Sequence, residues 1–124
     1  MSIDLVKKNL NNNGLNKKDI TNNIIFVKGF FPDSFYNFDE KISFLHLDVD
    51  LYDSYMHCLN YFYPKVIDGG IIIFDEYIDK DRSSSKKGWG WYGAKVAIDK
   101  FVKLNNLNLS EHPTGYKYII KKQY

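Results

Sequence analysis

Apolar positions along the chain follow two rhythms, and these predict its elements. Three mainly apolar runs read as strands, because each is too short for a helix and is bounded by turn formers. They cover about Ile24 to Lys28, broken at Gly29, then Ile42 to Leu47, then Ile71 to Phe74. The last run shows no alternation, as expected of a parallel strand buried on both faces. Helical spacing marks three other stretches. Ile3 to Leu10 carries an amphipathic pattern that ends at the Asn run and Gly14. In DSYMHCLNYFYPKV, Tyr55, Leu59, Phe62 and Tyr63 recur at helical intervals, with Asp53 or Ser54 available as N-cap. A further helix is predicted from Gly93 to about Leu104, with Ala94, Ala97, Ile98 and Phe101 facing inward.

Between these elements, IDGG before the third strand reads as a turn, and PDSFYNFDEK as a turn-rich connection. DEYIDKDRSSSKKGWGWYG is a long polar, glycine-rich loop. The ending LNLSEHPTGYKYIIKK reads as a hairpin around Pro113-Thr114-Gly115. The order strand, helix, strand, helix implies an α/β fold with a parallel sheet centre and an antiparallel C-terminal edge hairpin.

Composition narrows the class. At 124 residues the chain is expected to form a single domain, and with 44% hydrophobic and 17% aromatic residues it can bury a real core. Seventeen basic against fifteen acidic residues leave a charge of +2, too small to make nucleic acid the partner. The pairs Lys7-Lys8, Lys86-Lys87 and Lys121-Lys122 read as solvated surface. A single cysteine, Cys58, allows no internal disulfide, and a reducing, cytoplasmic setting is expected. No stretch has the length of a signal peptide's apolar core or of a membrane span, so no membrane partner is expected.

Chemistry concentrates where the strands end. In α/β sheets ligands bind at the carboxyl ends of parallel strands. Asp48 follows one such end, with Asp50 and Asp53 close behind, and Asp75 and Glu76 follow the next. Neighbouring strands lie ~4.8 Å apart, so acids just past their ends can converge on one hard cation such as magnesium, calcium or manganese. An aspartate at a strand end also caps turns and helices in its own right. Asp50 and Asp53 are read in that way, as turn and N-cap residues. The spacing Asp48-x-Asp50 alone is a weak motif, shared with metal-dependent glycosyltransferases and with haloacid-dehalogenase-type phosphatases. Leu51 and Tyr52 after it argue against the phosphatases.

Five blocks, LHLDVDLYDS, YFYPKV after a helix, DGGIIIFDEY, GAKVAIDKF and PTGYKYIIKK, in this order, resemble the magnesium-dependent class I methyltransferases of the macrocin and mycinamicin O-methyltransferase type. The resemblance covers about Ile24 to Lys122. It implies a Rossmann-like fold that binds S-adenosylmethionine and methylates a hydroxyl, often on a sugar. By position, Asp48 matches the family's metal-binding acid and general base, and Asp75 and Glu76 match its acidic pair, whose usual second residue is Asp. Gly29 and Phe30 match a segment near the cofactor adenine. His46, two before Asp48 on the same strand face, is a candidate contact to cofactor or substrate and, with His57, an alternative base. His57 itself reads as a surface or packing residue. Trp89, Trp91 and Tyr92 fall in a loop that would cover substrate or pack on itself.

The family also holds its cofactor with a glycine-rich loop after the first strand and an acid ending the second. Neither precedes Ile24, and the chain is expected to begin in the helix before the family's third strand. The family places its first two strands between the third and the fourth, so an incomplete methyltransferase domain is expected, possessing the catalytic half. Three readings follow. One is a magnesium-assisted O-methyltransferase, inactive alone if the cofactor loop is missing. The second is a nucleotide-sugar glycosyltransferase-like protein using Asp48 and Asp50. The third is a non-catalytic fragment that pairs with itself or with a partner chain across open strand edges.

Overall fold

In the computed structural model, which describes residues 1–77 and 92–122, the runs at Ile42–Leu47 (β1) and Val66–Phe74 (β2) form neighbouring parallel strands. The helix Tyr52–Phe62 (α3) makes the crossover between them, as a parallel pair requires. The helix Tyr92–Leu104 (α4) follows β2, and a hairpin of Ser110–Glu111 (β3) and Lys117–Ile120 (β4) closes the chain. The sheet runs β1-β2-β4-β3, with β4 antiparallel to β2. The hairpin turn is held by His112 N–H to Tyr116 O (2.8 Å) and Gly115 N–H to His112 O (2.8 Å).

The expected turn at IDGG lies inside β2. The step from Ile42 to Phe44 on β1 spans Val66 to Ile71 on β2, so the diglycine is absorbed as a bulge. Lys121 fastens it from the far side: Gly69 N–H donates to Lys121 O (2.7 Å) and Lys121 N–H to Gly70 O (2.9 Å). At Gly70 a Cβ would lie 2.8 Å from Ile67 O and 3.2 Å from Ser43 O, both backbone atoms that cannot swing aside. Gly70→Ala is therefore expected to lower stability by about 2 kcal/mol, read as an earlier urea midpoint at unchanged slope. A midpoint equal to that of the wild type would show that the bulge relaxes freely.

The core lies on one face of this sheet. Leu47, Ile72, Phe74 and Ile119 are buried there, together with Tyr55, Cys58 and Leu59 of α3 and Ala94, Ala97, Ile98 and Phe101 of α4. The helices pack against each other, and Tyr63 meets Phe101 edge to face at 5.3 Å. The expectation that Ile71–Phe74 is buried on both faces is thus half right. Ile71 and Ile73 point to the opposite face, where Phe44 (59% exposed) and Ile120 are also open. The physical reason is that only one layer of helices, α3 with α4, covers the sheet among the described residues of this unit. On β1 itself, the only ladder among the described residues is the one to β2.

Residues Met1–Asn37 form one compact unit and Phe38–Tyr124 the other. In the first, the helix Ile3–Asn12 (α1) starts from the Ser2 cap, whose hydroxyl accepts from Leu5 N–H (3.2 Å). It ends in paired bonds, Leu15 N–H to Leu10 O and Gly14 N–H to Asn11 O, the Schellman arrangement. A second helix, Lys17–Asn23 (α2), was not expected from spacing. Its signal is Asn16, which accepts from Asp19 N–H at 2.9 Å. The predicted strand at 24–28 is a correction: the stretch is extended at Ile24 but forms no ladder among the described residues. A strand needs a neighbour, and the apolar run alone cannot supply one.

Candidate metal centre

Leu47 is the last residue of β1 and Phe74 the last of β2, and they sit opposite each other in register. One step on, Asp75 N–H still donates to Leu47 O (2.9 Å), so the ladder is laced up to the point where the acids emerge. Asp48, Asp75 and Glu76 each offer a carboxylate oxygen, and the three atoms lie within 4.8 Å of one another. Asp48 and Asp75 are exposed, whereas Glu76 is buried at 5% exposure. Burial first, and then the adjacent Asp48 carboxylate, push the Glu76 carboxyl up to about 8.

Tyr55, fully buried on α3, is the residue that spacing did not assign to the site. Its hydroxyl carries one proton and has two acceptors within reach, Leu47 O at 3.0 Å and Glu76 Oε2. Burial and the Glu76 carboxyl hold its phenol well above the ordinary 10, so it keeps its proton. The signal was available, since a tyrosine at the first inward position of a helix that follows acids must bury a hydroxyl against some acceptor. Glu76 Oε1 remains buried with no hydrogen-bond partner among the described residues. An orphaned buried carboxylate oxygen beside two further carboxylates fits a hard divalent cation with oxygen ligands.

The other predicted residues fall as follows. His46 places Nε2 3.1 Å from Asp75 Oδ1, against the cluster. Asp50 has a left-handed φ of 60° and sits in a tight turn closed by Leu51 N–H to Val49 O (2.6 Å). Asp53 is not the N-cap. The N-cap is Leu51, two residues earlier and with no side-chain cap, and Asp53 lies in the first turn of the helix, where the helix dipole favours an acid. His57 is exposed on α3. Just past the cluster, Tyr77 donates to Asp99 Oδ1 of α4 (2.6 Å), and its ring lies under the Lys95 and Lys117 ammonium groups. That bond fastens the segment leaving β2 to α4.

Gly29 and Phe30 belong to the first unit. A Cβ on Gly29 would stand 2.7 Å from Ser34 Cβ, which accounts for glycine there, and Phe30 is 91% exposed. Trp89 and Trp91 lie outside the described residues, as does the Tyr92 side chain. One G-x-G-x-x-G does occur in the chain, Gly88 to Gly93. It stands well after Phe74, the end of β2, and mostly outside the described residues, so it does not follow a strand directly as a dinucleotide fingerprint does.

A parallel pair ending in carboxylates, crossed by a helix and flanked by an antiparallel hairpin, is the Rossmann-like architecture of class I methyltransferases. The O-methyltransferase NovP superposes on 99% of this chain with a TM-score of 0.76 at 24% identity. CalS11, a TDP-rhamnose 3′-O-methyltransferase of calicheamicin biosynthesis, superposes on 64% with a TM-score of 0.50, also at 24% identity. The profile of the macrocin-O-methyltransferase (TylF) family matches residues 1–103, and the chain belongs to that family. The chain spans 46% of the length of NovP and 32% of that of CalS11. No curated protein sequence matches significantly. No helix among the described residues is long and apolar enough to cross a membrane.

Proposed function

We propose that this chain carries the metal-binding and acceptor-activating part of an S-adenosylmethionine-dependent, Mg2+-assisted O-methyltransferase whose acceptor is a sugar-like hydroxyl. The observation that carries the proposal is the meeting of Asp48, Asp75 and Glu76 at two adjacent strand ends. Membership of the macrocin-O-methyltransferase family supports methyl transfer, and the substrate in CalS11's name supports a sugar acceptor. Asp48, Asp75 and Glu76 are the ligands of the ion. Bound there, a divalent cation supplies the charge that lowers the pKa of a hydroxyl beside it. Asp48, exposed at the mouth of the cluster, accepts the acceptor's proton. His46, on the Asp75 side, contacts substrate or cofactor.

The methyl donor is served less completely. Gly29 and Phe30 are its contacts in this reading, and among the described residues no glycine-rich loop directly follows a strand. Calorimetric titration of S-adenosylmethionine with and without Mg2+ tests the proposal. Binding that Mg2+ strengthens is the expected result, and no heat in either condition would sink autonomous activity. The second reading, a non-catalytic fragment that pairs with another chain, is favoured by Phe44 exposed on β1 and by the single ladder β1 makes among the described residues. A monomer on size exclusion would count against it.

A further inference from the structure

Tyr55 stands where the two strand ends meet. Leu47, whose carbonyl it holds at 3.0 Å, immediately precedes Asp48, and Glu76, whose Oε2 it contacts, immediately follows Asp75. The ring is fixed from behind by Phe74, at 6.3 Å between centroids, and no part of the side chain reaches solvent. The hydroxyl therefore has one position. Glutamate, by contrast, has one more rotatable bond than aspartate, so a buried glutamate needs an anchor if one particular oxygen is to serve as a ligand. With Oε2 engaged by Tyr55, Oε1 is the atom left without a partner among the described residues.

We propose that Tyr55 is a positioning residue of the metal centre, holding Glu76 by Oε2 so that Oε1 alone faces the cation. This inference rests on the metal reading given under Proposed function. Supporting residues of this kind change metal affinity by about 10- to 100-fold when removed.

The test is calorimetric titration of Mn2+ into the full chain at pH 8, for wild type, Tyr55→Phe, Glu76→Asp and the double variant. Tyr55→Phe keeps the ring in place and removes only the hydroxyl, and it is expected to weaken Mn2+ binding about tenfold. In the Glu76→Asp background, where the shorter arm no longer reaches the hydroxyl, the same exchange is expected to change affinity by less than about twofold, a non-additivity that lost packing alone does not produce. Wild type that takes up no Mn2+ overturns the metal reading and this inference together. Wild type that binds while Tyr55→Phe binds equally well overturns the positioning role alone. If Tyr55→Phe does not fold, the wild type still decides. Its buried Tyr55 hydroxyl proton should give a slowly exchanging NMR signal that moves when Mg2+ is added, and a signal that stays in place overturns the role.

Discussion

Asp48→Asn is expected to lower Mg2+ affinity by about 100-fold in calorimetry at pH 8, while Asp50→Asn leaves it within about twofold. The amide has the same shape as the carboxylate, but it is neutral and offers the ion one weaker oxygen. Asp50 sits in its own tight turn with a left-handed φ, and although its side chain reaches Glu76 it is not one of the three carboxylates that meet. The metal-free proteins carry a second readout. Asp48 pushes Glu76 toward protonation, so neutralising Asp48 removes repulsion, and the metal-free melting temperature should not fall. An acid held only for structure would behave in the opposite way, losing stability without changing metal binding. Equal loss of affinity at Asp48 and Asp50, with none at Asp75→Asn, would instead favour the glycosyltransferase-like reading.

The pH dependence of the same binding should be steep. The Glu76 carboxyl sits at about 8 in the metal-free chain against an ordinary 4.5, burial being the larger cause and Asp48 the next. A cation that binds Glu76 as a carboxylate must release that proton. Mg2+ affinity is then expected to rise about tenfold per pH unit from pH 6 and to level off above pH 8. The sign for folding is the reverse. A carboxyl whose pKa is raised by folding contributes stability that is complete below about 4.5 and is lost as pH rises through about 8. The metal-free melting temperature should therefore drop by about 5 °C or more between pH 5 and pH 8, and saturating Mg2+ should recover it. A flat melting profile without metal, or an affinity that does not change with pH, would show that Glu76 is ionised without the ion and does not belong to the site as described.

Local rules read much of this chain directly. The inner faces of α3 and α4 follow from residue spacing, because a helix buries whatever recurs on one side: Tyr55 and Leu59, then Ala94, Ala97, Ile98 and Phe101. The hairpin around Pro113-Thr114-Gly115 follows from turn chemistry. The segment at 24–28 shows the limit, since its composition suits a strand but its ladder depends on residues that local pattern cannot supply. At IDGG the turn residues were read correctly and their setting was not. Whether a diglycine reverses the chain or bulges a strand depends on Lys121, far away in sequence, which hydrogen-bonds across it.

By itself the sequence determined the α/β order of elements, the one-sided helices and the acids placed just after two strands, because periodicity and chain order are local properties. Only the tertiary structure decided which acids form a unit. It set Asp50 in a left-handed turn, outside the three carboxylates that meet, and brought Asp75 and Glu76 to Asp48 across the ladder between β1 and β2. It also buried Glu76 against the Tyr55 hydroxyl, which no spacing rule contains. The reason is physical: a carboxylate's proton affinity and its ligand geometry depend on what surrounds it in three dimensions, and those neighbours come from strands and helices that meet only on folding.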